Sequence, residues 1–325
     1  MAELKTIFVE VAGVGITMDN IDSVEINEAY KQPCARFRLE TYNPGDFDLN
    51  DYITIDLGFA GDNSEVFQGF VDAISTTRRP GVYEVIGRDV LKRAIDHWIV
   101  TTDLENPWTR SNISAEDLVG ALLNEAGITG YSGDVSSFTF GVQGPVEFQL
   151  VSAWDAIERL CMIIAWRCYA KDGTVYFKGI LPEPSGVASK NLLIGDSGNI
   201  TNIKYDVSTD NLRNKVIVFG KEGIYAEASA VSPYLPDDFY KTAIVSSELI
   251  DQQSMAEDAA DYNLALYNRL TEVASCDLLG LHDVRARDTV NVEESFTGIT
   301  GDWFVYSATH RMDQNGYTTQ LHLTR

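Results

Sequence analysis

Basic residues are scarce in this 325-residue chain: 25 Lys and Arg face 48 Asp and Glu, a net charge of −23. Cut after residues 96 and 187, the three parts carry −8, −6 and −9, so the acidity belongs to the whole body and not to a tail. Phosphate backbones are held by basic stripes, so stable nucleic-acid binding is disfavoured and solubility is the plain account of the charge. Cysteine is also sparse. Cys34, Cys161, Cys168 and Cys276 have no C-x-x-C spacing, and only His282 of the four histidines lies near any of them. That pattern predicts buried free thiols and neither a metal site nor a disulfide framework.

Long apolar runs are missing. The longest, Leu160 to Trp166, is seven residues, against the roughly 18 that a membrane helix needs, so no membrane insertion is expected. Glu3 and Glu10 in "MAELKTIFVEV" do not suit a signal peptide. The protein is therefore expected to be made in the cytoplasm and to leave it, if at all, by lysis or a dedicated machine. Gly13 and Gly15 form a G-x-G without a third glycine or a following helix, which reads as a strand-end turn and not a phosphate loop.

Strand patterns dominate what is present. "CARFRLETY" puts Ala35, Phe37 and Leu39 on one face, and "DYITIDLGF" repeats the two-residue period through Ile53, Ile55, Leu57 and Phe59. After a turn at Gly58, Gly61 and Asp62, "VFQGFVDAISTTRRPGVYEVIGRD" reads as two strands around Arg79-Pro80-Gly81, and "VLKRAIDHW" as a short helix. From residue 97 the character changes. Ser114 and Ser152 read as N-caps of two helices, the first stopped by Gly127, and Asp172-Gly173 as a hairpin turn. Pro182, Pro184, Ser185 and Gly186 suggest a linker. Strands then return around one long helix with a capping box at Ser254-x-x-Glu257 and with Leu266 and Leu270 four apart.

Two stretches align. "CARFRLETYNPGDFDLNDYITIDLGF…VFQGFVDAISTTRRPGVYEVIGRD" and "CDLLGLHDVRARDTVNVEESF…GDWFVYSATHRMDQNGYTTQLHLTR" both run strand, loop, Asp (Asp51 or Asp288), alternating strand to Phe59 or Phe296, turn, strand, Gly-aromatic turn, strand. Phe70 to Gly81 is eleven residues and Phe304 to Gly316 twelve, with Tyr83 and Tyr317 just past each glycine and Asp89 closing the first copy. Three chains with two such modules each would present six similar units around an axis, able to dock on a six-fold object.

The ordered set "GFVDAI…GVYEVIGRD", "WDAIERLC", "KDGTVYF", "NLRNKVIVFG" and "GDWFVYSATH…GYTTQLHL" resembles baseplate hub proteins of contractile phage tails over residues 30 to 325, and is similar to the N-terminal hub part of type VI secretion spike proteins. The resemblance implies a β-rich α+β fold: a first β-barrel module (1–96), a small α+β domain (97–187) and a second, related β-barrel module with one long helix (188–325). It further implies a homotrimer that adapts the tail tube to a separate spike protein among other baseplate proteins, located in the virion and assembled in the host cytoplasm. DNA would be met only in transit. On that reading an acidic conduit would repel DNA and keep it from stalling.

Chemical alternatives are thin. "GDSG" at Gly195 to Gly198 matches the short signature around a protease nucleophile, but Ser197 needs a base, and His97, the one histidine upstream, lacks the usual surroundings. Asp237-Asp238 and Glu293-Glu294 would point to opposite faces of a strand and read as solvated. Pairing of the last two strands could bring His310 and His322 together without a third metal ligand. Trp303, Phe304, Tyr306 and Tyr317 could form a sugar platform but read first as barrel core. The expected protein is thus a structural hub with no catalytic residues, cofactor or metal, the alternatives being a tail-associated carbohydrate or receptor binder and a serine hydrolase at Ser197.

Overall fold

A computed structural model of the chain describes residues 5–11, 13–16, 18–59, 61–101, 107–179, 190–193, 198–232, 234–236, 238–268, 272–295 and 297–325. The expected linker, Ser197, Asp237, Leu270 and Phe296 lie outside the described residues. No helix among the described residues is long and apolar enough to cross a membrane.

Strand alternation builds the first barrel. β1 (Lys5–Val11) turns at Gly13, φ +84°, into β2 (Val14–Ile16), which answers the G-x-G. Then come β3 (Ile21–Ala29), β4 (Arg36–Thr41), β5 (Tyr52–Phe59), β6 (Asp62–Thr76) and β7 (Tyr83–Arg88), followed by α1 (Lys92–Asp96). Val24, Ile26, Leu39, Ile53, Ile55 and Leu57 point inward and are fully buried.

The middle part is helical on one side. α2 (Ala115–Glu125) and α3 (Ala153–Ile164) each start at the expected serine: Ser114 accepts from the Asp117 N–H at 3.2 Å and Ser152 from that of Asp155 at 3.0 Å. β8 (Trp166–Lys171) and β9 (Thr174–Gly179) join through Asp172 and Gly173, whose φ of 50° and 71° make the primed turn that suits strand twist.

The remaining elements are β10 (Lys190–Leu193), β11 (Ile200–Val207), β12 (Lys215–Phe219), β13 (Tyr225–Ser229), β14 (Thr242–Ser246), α4 (Gln253–Tyr267), β15 (Glu272–Leu279), β16 (Thr289–Glu293), β17 (Thr300–Asp313) and β18 (Gly316–Thr324). The capping box at Ser254 does not form. Gln252 is the N-cap, with no side-chain bond, and Gln253 instead reaches Glu257 at 3.0 Å and the Tyr225 carbonyl at 2.9 Å. Packing overrides the local signal: Met255, Ala256, Ala259 and Ala260 join the core of α2 and α3, and Asn263 donates to the Ile163 carbonyl at 3.0 Å. The middle core therefore extends beyond residue 187, into chain between β11 and β15.

The two aligned stretches have one strand order. β4, β7, β6 and β5 are neighbours in that sequence, and so are β15, β18, β17 and β16. Both copies slip register at the same point, between Val71 and Ala73 and between Val305 and Ser307. The ladder also refines the alignment. Phe70 faces Arg88 and Phe304 faces Thr324; counting from there, Tyr83 opposite Thr76 matches Thr319 opposite His310. Tyr317 lies two residues further out, in a longer hairpin whose turn is Gln314-Asn315, with Gly316 opening β18.

That extra length reaches into the first barrel. β3 pairs with β4 on one edge and with β17 on the other, so a single sheet runs through both barrels. Val305, Ala308, Leu321 and Leu323 fill the second core, whereas Met312 and Tyr317 belong to the first. The terminal hairpin is built into both.

Candidate assembly site

β3 carries a charged group at each end that ties the barrels together. At its start, Asp22 accepts two bonds from Arg79, at 2.6 and 2.7 Å, one from Gln314 of the terminal turn at 3.0 Å, and one from the Tyr42 hydroxyl. Arg79 holds the Asp22 carboxyl at about 2, below its ordinary 3.8. A depressed carboxylate adds stability above its ordinary value, lost as pH falls through about 2. Urea midpoints taken from about pH 6 to pH 2 are therefore expected to show Asp22→Asn least stable relative to wild type at the upper end, with the gap closing below about pH 4.

At the other end, Glu28 is 6% exposed and accepts from Arg285 Nε at 2.8 Å, from Arg285 Nη2 and from the Ala286 N–H at 3.3 Å. Arg285, 8% exposed, sits in the loop before β16. Burial pushes the Glu28 carboxyl up, and the guanidinium outweighs it, leaving the group below its ordinary value. Next to it Asp288 accepts from the Arg285 N–H at 2.8 Å and pairs with Lys171 of the middle part at 3.0 Å. Arg287 donates to the Ala29 carbonyl at 3.1 Å and stacks 4.4 Å over Tyr169. One loop thus contacts all three parts.

The signature residues scatter around this junction and do not converge. Phe70 packs edge-on to Tyr52 at 5.4 Å with Arg93 over its ring, and Phe304 packs on Tyr30 at 5.6 Å. Gly81 supplies φ +76° to the β6–β7 turn, where a side chain would strain the backbone. Asp89 is buried, accepts from the Ala35 and Leu91 N–H groups at 2.6 and 2.8 Å, and is pushed up to about 7 by burial. Tyr317 is buried with its hydroxyl 2.9 Å from His310 Nδ1.

The chemical alternatives fare differently. His310 points into the barrel, where burial pushes it down to about 4, while His322 points out, so the two lie on opposite faces of the hairpin. Trp303 is 1% exposed in the second core. Glu294 is a correction: it is 2% exposed, not solvated, and its carboxylate accepts from Thr297. All four cysteines are free and buried.

From β11 through β15, β18, β17, β3, β4 and β7 to β6, the outward face of the continuous sheet carries Arg36, Arg38, Arg88, Arg311 and Lys204 against Glu25, Glu40, Glu65, Glu84, Asp72, Asp206, Asp277, Asp302 and Asp313. Five cations against nine carboxylates leave −4 there, out of the chain's −23. Arg38 pairs with Glu40 and Glu84, and Arg88 with Asp72 and Asp96. A groove of about 850 Å³ opens on this wall between Lys31, Lys204, Arg213 and His322. His322 lies between Ser275 and Ser307 in the ladder.

Comparison with solved structures places this architecture. A tail protein from Neisseria meningitidis matches 99% of this chain and 96% of its own at 15% identity, with a TM-score of 0.76. The chain has the fold of phage tail proteins. A 43 kDa tail protein of prophage MuSo2 from Shewanella oneidensis shares it, at 14% identity and a TM-score of 0.73 over 99% of this chain and 98% of that one. So does an E. coli protein described as a component of the type VI secretion system, at 11% identity and 0.61 over 97% and 76%. Within the tail-protein fold, residues 167–324 match the model of YQBQ-like proteins. No curated protein is significantly similar in sequence.

Proposed function

We propose that the chain is the structural hub of a contractile phage tail baseplate, a homotrimeric ring that adapts a six-fold tail tube to a three-fold spike and forms part of the DNA conduit. The observation that carries this is the repeated strand order, β4-β7-β6-β5 and β15-β18-β17-β16, held in one sheet by β3. Duplication of an ancestral barrel accounts for that order and for the shared register slip. Three copies then offer six similar barrels, which lets three-fold and six-fold partners meet with the same contacts. The fold's occurrence in proteins described as tail proteins and as a type VI secretion component supports a place in an injection machine.

On this reading the partners are the tube protein, the spike and neighbouring baseplate proteins, the particle is the virion, and assembly takes place in the host cytoplasm. The division of the chain at about residues 96 and 187 follows the modules, with α4 and its sheet serving the middle core. The hub needs no catalytic residue, because its work is done by extended interfaces. Burial of Trp303 disfavours the sugar-platform alternative. Native mass of the purified chain tests the proposal: the expected species is a trimer, and a chain that stays monomeric alone and with a spike protein would refute it.

A further inference from the structure

The groove on the outward wall reverses the sign of the chain around it. Lys31, Lys204 and Arg213 line it against a single carboxylate, Asp206, so three cations over one anion leave +2 there, in a body of −23. Lys204 neutralises that carboxylate at 2.7 Å, and among the described residues no carboxylate lies within ion-pair distance of Lys31 or Arg213. Strand register sets the floor. Lys204, Ser275, His322 and Ser307 are successive partners across β11, β15, β18 and β17, so the four side chains share one face of the sheet. Three inter-strand steps of about 4.8 Å make this row about 14 Å long.

The other side of the groove comes from the segment between β11 and β12 and from the end of α4. Leu212 is buried and anchors that segment, and the Arg213 N–H donates to the Tyr267 carbonyl at 3.2 Å. Arg213 Nη1 donates to the Asp210 and Leu212 carbonyls at 2.8 Å each. Its charge is thereby fixed beside the groove before anything binds. Tyr267 and Tyr306, both half-buried, add apolar ring faces that end in hydroxyl groups.

We propose that this groove binds a short, extended acidic segment of a partner protein, its carboxylates received by Lys31, Lys204, Arg213 and the Ser275 and Ser307 hydroxyls, and an apolar side chain set against Tyr267 and Tyr306. Ammonium, guanidinium and hydroxyl groups all donate, so the lining offers an anion several hydrogen bonds and a cation few. The floor matches four or five extended residues at about 3.3 Å each. A volume of about 850 Å³ lies within the roughly 300–1,000 Å³ of ligand sites. Charge also selects against a nucleic-acid strand. The attraction of the groove reaches only about a Debye length, roughly 8–10 Å, and beyond it a long polyanion meets the carboxylates of the rest of the chain. A segment whose acidic residues end where the groove ends escapes that repulsion. The site lies within one chain and needs no second copy to complete it.

Fluorescence anisotropy of the purified chain with a labelled hexapeptide of alternating Glu and Leu tests the site, against a Lys-Leu hexapeptide and a hexathymidylate carrying the same label. The Glu-Leu peptide is expected to bind more tightly than either, and to weaken severalfold between about 50 and about 300 mM salt. The double variant Lys31→Glu with His322→Glu is expected to bind it at least about tenfold more weakly. Both residues are exposed, so this variant is expected to keep the wild-type urea midpoint. If it does not, Lys31→Gln with Lys204→Gln removes two charges without adding any and is expected to lose about as much binding. Arg311→Gln, at an exposed cation of the same wall outside the groove, is expected to change the affinity by less than about twofold. Absence of saturable binding by the Glu-Leu peptide, or undiminished binding to the charge variants, overturns the proposal. So does tighter binding of hexathymidylate, which would make the groove a nucleic-acid site. The trimeric ring stands or falls separately, on native mass.

Discussion

Glu28→Ala is expected to cost about 3–5 kcal/mol, because it leaves the Arg285 guanidinium buried without its carboxylate. Arg285 has few substitutes at hand among the described residues: its guanidinium otherwise reaches the Glu65 carbonyl at 3.5 Å and Asp172 at 3.8 Å. Replacing both partners by apolar residues of similar volume, Glu28→Met with Arg285→Met, is expected to recover most of the loss, since neither charge then has to be desolvated. Urea unfolding of wild type, the two single variants and the double variant at neutral pH measures this as a cycle. A loss below about 1 kcal/mol in Glu28→Ala would mean that water reaches the guanidinium and that the junction is not a lock. The wild-type pair should also weaken in acid. Glu28 is held below its ordinary value, so its contribution is present above that value and fades as pH falls through the folded one.

Trp303→Ala is expected to cost about 3–5 kcal/mol as well, for a different reason. The indole lies in the second core, edge-on to Tyr205 at 6.0 Å and beneath the Arg325 guanidinium at 5.0 Å. Truncation leaves a cavity that the surrounding strands can fill only in part, as tightly packed interiors do not collapse freely. Tyr306→Ala, at a half-buried position beside Tyr30, serves as a milder control in the same denaturation series. If Trp303→Ala unfolded at the wild-type urea midpoint while losing binding on a glycan array, the aromatic hairpin would be a recognition surface and not barrel core.

Much of this was legible because it is local. The two-residue period of "DYITIDLGF", the Ser114 and Ser152 caps and the Asp172-Gly173 turn act within a few residues, and the structure forms each of them. The repeat could be seen through its spacing, but the glycines misled its fine register, because hairpins of different length share the same turn residues. The junction was only half visible. Val24, Ile26 and Glu28 fall on one face of a strand, so a carboxylate aimed at the core could be read from "VEINE". Its partner could not, since "LHDVRARD" looks like any solvated loop and lies 257 residues away. α4 failed for a similar reason: its start is set by packing on α3, which the Ser254-x-x-Glu257 pattern does not encode. The pairing of β3 with β17, which makes two barrels one wall, is likewise a long-range contact with no local mark.

The central claim is that one chain supplies two equivalent barrels to a three-fold ring. Class averages of the purified protein by cryo-electron microscopy test it most directly. The expected image is a ring with six similar lobes around an open channel, three-fold when averaged strictly and close to six-fold at the inner wall. A compact single body with no channel, persisting when a spike protein is added, would contradict the account.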